Sequence, residues 1–159
     1  MSNIGDLVAN AHAYARQFAG GELDAPPARK VAVVTCMDAR IDPAAILGLE
    51  LGDVHVIRNA GGTVTEDVLR SLAVSQRRLD TTEVMVVQHT SCGMLGLDEA
   101  ALEAEVGERP RDGFGGFDDL DQSVREGVDR IYRSKLTLHG NDVRGFVYDV
   151  KTGRLREVT

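Results

Sequence analysis

Two short segments of the sequence hold the side chains best suited to chemistry. In the first, V-V-T-C-M-D-A-R, Cys36 precedes Asp38 by two positions and Arg40 by four. In the second, Q-H-T-S-C-G, His89 precedes Cys92 by three positions, and these two cysteines are the only ones in the chain. Thiolates and imidazoles are ligands that zinc prefers, so the two segments together could form a metal site.

Cys36, His89 and Cys92 would give zinc three protein ligands. A tetrahedral ion then keeps a fourth position open, which is typical of catalytic rather than structural zinc. Two competing interpretations are a pair of buried apolar thiols and a Cys36–Cys92 disulfide. The metal site is favoured over both because only it gives His89 a role.

Asp38 allows two chemical roles. It could close the metal site as a fourth ligand, or it could pair with Arg40 and accept a hydrogen bond from water at the metal. A neighbouring guanidinium stabilises a carboxylate by charge and by bidentate hydrogen bonds, so Arg40 would compete with the metal for Asp38. The plain alternative is a surface ion pair worth less than about 1 kcal/mol.

The elements that must position these side chains are those of an α/β protein. Three short β-branched runs, at Lys30–Thr35, Asp53–Ile57 and Glu83–Gln88, predict strands buried in a parallel sheet. Val143–Val150 predicts a fourth strand and Leu155–Val158 a short fifth one. We therefore predict an α/β fold with a mostly parallel four-stranded sheet, a short fifth antiparallel strand and helices on both faces.

Helices are predicted between and outside these strands. Asp42 caps a short helix that ends near Gly48, and Thr63–Glu66 has capping-box spacing for a helix that runs to about Leu79. Two further amphipathic helices are predicted at Ile4–Phe18 and Asp118–Ser134. A loop is predicted at Gly107–Gly116.

The predicted sheet brings the two reactive segments together. Cys36 follows the first strand and His89 follows the third, and the carboxyl ends of parallel strands form the edge where open α/β sheets bind ligands. Two further histidines lie outside the predicted strands. We expect His12 at the surface and His139 in a loop.

Composition limits the class of function. The 159 residues suit one domain, here residues 1–159, and the formal charge of −7 opposes binding to nucleic acid or anionic lipid. The N-terminal segment lacks the basic and apolar regions of a signal peptide, and no apolar run approaches the roughly 20 residues of a membrane span. We therefore expect a cytoplasmic protein that binds neither nucleic acid nor membrane.

The chain resembles the β-class carbonic anhydrases. The resemblance lies in C-M-D-A-R, R-N-A-G-G and H-T-S-C-G, in family order and spacing, and in F-V-Y-D-V-K-T-G-R-L near the end. It implies a zinc lyase, a carbonate dehydratase, that interconverts carbon dioxide and bicarbonate. It also implies that Cys36, His89 and Cys92 bind the zinc. Asp38 and Arg40 would be the catalytic dyad, with Asp38 on zinc only in an inactive, closed state.

The resemblance further implies a homodimer or a dimer of dimers, with residues 1–25 forming a helical arm on the partner. In the implied mechanism the backbone N–H of Gly93 binds an oxygen of bicarbonate. His55 falls where plant-type members carry a cleft phenylalanine, so it is a candidate proton carrier. A histidine packed on its strand is the alternative.

Two positions depart from better-known branches of the family. Pro27 stands where plant-type members carry a cleft glutamine, and Val33 stands where members with an allosteric bicarbonate pocket carry a tryptophan. The chain is therefore closer to the small, minimal branch, and we do not expect that form of regulation.

Two other functions remain open at this point. A relative on the same scaffold could hydrolyse carbonyl sulfide or carbon disulfide with the same ligands. A non-catalytic zinc or thiol-redox module would instead keep Asp38 on the metal or cycle its two cysteines.

Overall fold

A computed structural model describes residues 2–138 and 142–159. One five-stranded sheet is made by β1 (Val31–Cys36), β2 (Val54–Asn59), β3 (Glu83–His89), β4 (Asp142–Tyr148) and β5 (Leu155–Val158). The strand order is β2-β1-β3-β4-β5, in which β1 to β4 are parallel and β5 is antiparallel to β4. The predicted mostly parallel α/β sheet with a short antiparallel fifth strand is confirmed.

Five helices accompany the sheet in the described ranges. They are α1 (Asn3–Ala15), α2 (Pro43–Leu47), α3 (Glu66–Arg78), α4 (Glu99–Val106) and α5 (Leu120–Arg133), and a 3-10 turn spans Ala60–Gly62. Because the chain runs from β1 outward to β2 and then back across β1 to β3, right-handed connections place α2 on one face and α3 and α5 on the other.

The main core lies between the sheet and the helices α3 and α5. Its buried side chains alternate along the strands, as expected for a sheet with one face against helices. The sheet contributes Ala32, Val34, Val84, Val86 and Val143. The helix α3 contributes Val68, Leu69 and Leu72, and α5 contributes Ile131. This core fixes the strands whose ends carry the reactive side chains.

Several local features differ from the sequence predictions. The helix α1 ends at Ala15, not near Phe18. Thr65, not Thr63, caps α3, since its hydroxyl accepts the backbone N–H of Val68. β4 ends at Tyr148 because Asp149 opens a turn, in which its carbonyl accepts the N–H of Gly153. The helix α4 was not predicted: it is short, it buries no residue and its apolar positions form no distinct face.

The helix α1 packs little against the rest of its own chain. None of its residues is buried, and its apolar side chains are exposed, with Ile4 at 74% and Leu7 at 65%. His12 lies exposed on this helix as predicted, whereas the predicted loop position of His139 falls outside the described residues. No helix in the described part of the chain is long and apolar enough to cross a membrane.

Candidate functional site

The carboxyl ends of β1 and β3 bring the two reactive segments into one cluster. These strands are parallel neighbours, and Thr35 pairs with Val87, so Cys36 and His89 end at the same edge of the sheet. The loop after β3 then returns Cys92 to the same place. One ligand atom from each of these three residues lies within 4.8 Å of the other two, and all three residues are buried.

The ring of His89 is oriented as a metal ligand would be. Its Nδ1 lies 2.9 Å from the carbonyl oxygen of Thr90, which can only accept, so Nδ1 carries the proton and Nε2 carries the free lone pair. Nε2 is buried and has no hydrogen-bond partner among the described residues. Metal-binding histidines commonly direct one nitrogen to an ion while the other donates to a carbonyl or a carboxylate.

The spacing of the two thiols also fits one ion. Their Sγ atoms lie 4.0 Å apart. Two sulfur ligands at about 2.3 Å from a tetrahedral zinc ion lie about 3.8 Å from each other, so little movement is needed to bind the metal. Two sulfurs and one imidazole nitrogen form a donor set that suits zinc, and Cys36, His89 and Cys92 could therefore hold it.

Burial favours the neutral forms of Cys92 and His89. Desolvation raises the pKa of the Cys92 thiol and lowers the pKa of the His89 imidazole. A divalent cation reverses the first effect, because it stabilises the thiolate that binds it. The cluster is thus chemically prepared for a cation rather than for two buried thiolates alone.

Asp38 is held by Arg40. Its two carboxylate oxygens accept Nε of Arg40 at 2.9 Å and Nη2 at 2.7 Å, and one of them also accepts the backbone N–H of Arg40 at 2.9 Å. These hydrogen bonds hold the pKa of the Asp38 carboxyl far below its usual range. The other side of the same carboxylate faces the cluster, with Oδ2 at 3.7 Å from Nε2 of His89. Asp38 is therefore anionic, oriented and adjacent to the proposed metal position.

Arg58 holds the backbone of the first segment, a role that the sequence did not reveal. Its Nε donates to the carbonyl of Cys36 and its Nη2 to the carbonyl of Asp38, both at 2.9 Å. Backbone carbonyls are present in every residue, so nothing in the sequence identifies these acceptors. The position of Arg58 in R-N-A-G-G was the only available signal.

Arg40 connects the two reactive segments. Besides binding Asp38, its Nη2 donates to the backbone carbonyl of Ser91 at 2.9 Å. Ser91 has a φ of 55°, in the left-handed region that non-glycine residues rarely adopt. The strained turn at Ser91 thus directs a carbonyl towards Arg40 and brings the chain round to Cys92.

Gly62 allows the 3-10 turn to approach the end of β1. A Cβ atom at Gly62 would lie 2.8 Å from the backbone nitrogen of Cys36 and 2.9 Å from the carbonyl carbon of Thr35. The φ of Gly62 is also positive, at 62°. No residue with a side chain fits here without moving the backbone of a proposed ligand.

Apolar side chains surround the sulfur ligands. A small cluster contains Cys36, Ile41 and Cys92, and four partly buried side chains pack against it: Ile46, Met94, Phe117 and Tyr148. Gly93 follows Cys92 in an exposed position, and a Cβ atom added to it would have no neighbouring atom within 4 Å. A small apolar molecule could therefore approach the cluster beside Gly93.

His55 lies apart from this cluster. It pairs with Ala32 in the sheet, four positions before Cys36, which corresponds to about 13 Å along the strand. Its Nδ1 lies 2.8 Å from Oγ of Ser75 and its Nε2 lies 3.3 Å from the carbonyl of Ala25. The structure thus brings together the other predicted site residues but not His55.

Comparison with known proteins gives a consistent result. A family model described as carbonic anhydrase matches residues 31–115. β-Carbonic anhydrase 1 of Mycobacterium tuberculosis is 44% identical over 163 aligned positions, which cover 100% of this chain and 99% of that protein. Carbon disulfide hydrolase of an Acidianus species is 32% identical over 83% of this chain and 78% of that one. The crystal structure of carbonic anhydrase from Streptococcus mutans superposes with a TM-score of 0.92 and 39% identity, covering 100% and 99% of the two chains.

Proposed function

This chain belongs to the β-class carbonic anhydrases, and we propose that it is a carbonate dehydratase, which catalyses the reversible hydration of carbon dioxide to bicarbonate and a proton. The observation that carries the proposal is the buried group of two thiols and one imidazole beside an Asp–Arg pair. The match to the family model, residues 31–115, includes all five of these residues.

We assign zinc as the metal and Cys36, His89 and Cys92 as its ligands. The 4.0 Å separation of the sulfur atoms and the free Nε2 of His89 support this assignment. When bound, zinc would lower the pKa of a water molecule far below its bulk value and so supply the nucleophile. Two thiolates donate more charge to the metal than neutral imidazoles do, so we expect the bound water to have a higher pKa than at a three-histidine site. Activity should therefore be best at alkaline pH.

Asp38 and Arg40 act on the nucleophile. The Asp38 carboxylate accepts a hydrogen bond from the attacking oxygen and so directs a lone pair at carbon dioxide. Arg40 keeps the carboxylate ionised and fixed through its two side-chain hydrogen bonds. If Asp38 left Arg40, its Oδ2 is near enough to the ligand atoms to bind the metal and close the site.

The substrate is held by weak contacts. Carbon dioxide has no charge and no hydrogen-bond donor, so apolar neighbours such as Met94 and Phe117 suit it. The backbone N–H of Gly93 binds an oxygen of the bicarbonate that forms. The released proton passes to buffer, because both ring nitrogens of His55 already have partners away from the site.

Hydrolysis of carbon disulfide or carbonyl sulfide is the second candidate reaction. The identity of 32% to a carbon disulfide hydrolase favours it, and linear molecules of this type would use the same ligands. A zinc-binding or thiol-redox module without catalysis is the third candidate, since the two Sγ atoms are only 4.0 Å apart.

One assay separates these candidates. The zinc-loaded protein is tested with carbon dioxide, carbonyl sulfide and carbon disulfide under the same conditions, and Cys92→Ser, which lacks one ligand, is the control for metal dependence. We expect carbon dioxide to be turned over fastest and the control to lose both zinc and activity. Faster turnover of a sulfur compound would favour the second candidate, and no turnover by zinc-loaded protein would favour the third.

We also propose that two copies of the chain associate, as a dimer or a dimer of dimers. The arm of residues 1–25 presents Ile4, Leu7 and Val8 on one face of α1, at the i, i+3, i+4 spacing of a helix that packs on a partner. A 13-residue helix without packing is marginal in water, so a second copy that covers this face would stabilise it. A cytoplasmic location is proposed as well, because both thiols must remain reduced to bind zinc.

A further inference from the structure

Thr90 links the proposed metal ligand His89 to the C-terminal part of the sheet. Its carbonyl oxygen accepts the Nδ1–H of His89 at 2.9 Å. Its backbone N–H donates to the carbonyl of Tyr148, at the end of β4, also at 2.9 Å. The peptide group that orients the imidazole is therefore attached to the neighbouring strand.

The hydroxyl of Thr90 makes a second attachment. It accepts the backbone N–H of Val150 at 3.2 Å and donates to Oδ1 of Asp149 at 3.3 Å. A carboxylate in its ionised form can only accept, so the direction of the second hydrogen bond is settled. The hydroxyl thus uses its one proton and one lone pair on two residues of the same turn.

That turn, which we call the C-terminal turn (residues 149–154), holds Asp149 firmly. The carboxylate of Asp149 also accepts the backbone N–H of Lys151 at 2.8 Å and the hydroxyl of Thr152 at 2.9 Å. These hydrogen bonds, the first of them most strongly, lower the pKa of Asp149. The backbone N–H of Asp149 donates to the carbonyl of Arg154, which closes the turn. Asp149 is therefore a fixed, anionic acceptor.

We propose that the Thr90 hydroxyl is a positioning group for the metal: through the C-terminal turn it fixes the carbonyl that orients the His89 imidazole. Neither Thr90 nor Asp149 contacts a proposed ligand atom or the substrate. Both residues act through another residue, His89, whose Nε2 must point at the metal while Nδ1 donates to the Thr90 carbonyl. This inference rests on the proposed zinc site and extends it by one layer of residues.

The test compares three variants of the full-length protein for zinc affinity, measured by competition with a chelator of known affinity. Thr90→Val removes the hydroxyl but keeps the shape, and we expect it to bind zinc about 10-fold more weakly, as is found for outer partners of metal ligands. Thr90→Ser restores the hydroxyl and should regain most of that affinity. Thr152→Val removes a different hydrogen bond to Asp149 but keeps the Thr90 hydroxyl, so it should lose much less zinc affinity than Thr90→Val.

A second readout follows the ligand geometry directly. The visible absorption of the cobalt(II)-substituted protein depends on how thiolates and imidazole surround the ion, so Thr90→Val should shift it much more than Thr152→Val does. If Thr90→Val does not fold, Asp149→Asn, which weakens the acceptor, should show a smaller loss of zinc affinity in the same direction.

Two results would overturn the inference. The first is that Thr90→Val has the zinc affinity and the cobalt spectrum of the wild-type protein. If Thr90→Val does not fold, the same result in Asp149→Asn would overturn the inference. The second is an equal loss in Thr152→Val, which would assign the effect to the stability of the turn. Failure of the wild-type protein to bind zinc would instead contradict the proposed function, so the two claims fail separately.

Discussion

Asp38 lies between Arg40 and the atoms proposed to bind the metal. Its carboxylate is bonded twice to the Arg40 side chain, and its Oδ2 is only 3.7 Å from Nε2 of His89. The sequence predicted both roles for Asp38 without deciding between them, because the choice depends on the direction in which its side chain points. In the structure the carboxylate is bonded to Arg40.

Replacing Asp38 by asparagine tests its proposed role. Asp38→Asn keeps the size of the side chain but loses the charge that accepts the hydrogen bond of the nucleophile. We expect zinc to be retained and carbon dioxide hydration to fall about 100-fold or more. Asp42→Asn is the control, since Asp42 caps α2 and asparagine caps helices equally well. Near-normal hydration by zinc-loaded Asp38→Asn would remove this residue from the mechanism.

The cluster of Cys36, His89 and Cys92 was easier to predict than the residues around it. These three side chains have distinctive chemistry, and their positions relative to the predicted strand ends indicated that they would lie together. Arg58 and Thr90 act through backbone carbonyls, which leave no trace in the sequence. Their roles needed the structure.

Among the secondary-structure elements, the strand ends determine where the chemistry occurs. β1 and β3 were predicted to within one residue at each end, because buried parallel strands have an unbroken apolar pattern. The helix α4 was missed because its stabilising contacts come from a cap at Asp98 and from a loop, not from an apolar face. The glycines of R-N-A-G-G were recognised as part of a motif. The close approach of this turn, Ala60–Gly62, to β1 could not be predicted from the sequence.

That close approach makes Gly62 sensitive to substitution. Gly62→Ala adds a Cβ that meets the backbone of Thr35 and Cys36 at a positive φ. Gly48→Ala is a matched control, since Gly48 has nearly the same φ, 63°, with no atom within 4 Å of the added carbon. We expect Gly62→Ala to lower the free energy of unfolding by about 1–3 kcal/mol more than the control, and to lower zinc content. Equal losses, measured by urea unfolding, would contradict the packing argument.

Glu99, at the start of α4, should stabilise the fold in a pH-dependent way. Its carboxylate accepts the backbone N–H groups of Gly115 and Gly116 and pairs with Arg109. The hydrogen bond from Gly116, above all, lowers the pKa of Glu99. A lowered pKa in the folded state stabilises the protein above the unfolded value of about 4.3, and this contribution is lost as the pH falls through the folded value.

We therefore expect Glu99→Gln to reduce the free energy of unfolding at neutral pH, with a difference from wild type that shrinks as the pH falls below about 4. Glu103→Gln is the control, because the Glu103 side chain is more exposed and, among the described residues, it pairs with Arg109 alone. Urea unfolding at several pH values measures both variants. A difference that stays constant down to acidic pH would contradict the role assigned to the Glu99 charge.

The whole molecule combines a buried Cys–His–Cys cluster with an N-terminal helix whose apolar side chains are exposed. The sequence pattern predicted one α/β sheet, and the structure joins all five strands of the described ranges into it. The sequence pattern predicted an amphipathic N-terminal helix, and the family resemblance implied that this helix lies on a partner subunit. In the structure no residue of α1 is buried in its own chain, which leaves its apolar face available for the proposed association.

The arm provides a test of the proposed association. Leu7→Glu places a charge in the middle of the exposed apolar face of α1, and Ala9→Glu places the same charge on the opposite face, two positions along the helix. We expect wild type and Ala9→Glu to sediment at twice the mass of one chain or more, and Leu7→Glu to sediment as a monomer. A monomeric wild-type protein, or a dimeric Leu7→Glu, would contradict an association through this face.

The proposed activity is zinc-dependent hydration of carbon dioxide at Cys36, His89 and Cys92. The decisive experiment is stopped-flow measurement of hydration against pH, with metal content determined on the same sample. We expect activity that rises towards alkaline pH, disappears when a chelator removes zinc and returns in proportion as one zinc ion per chain is restored. Protein that carries one zinc ion per chain and yet hydrates no carbon dioxide at any pH would contradict this assignment.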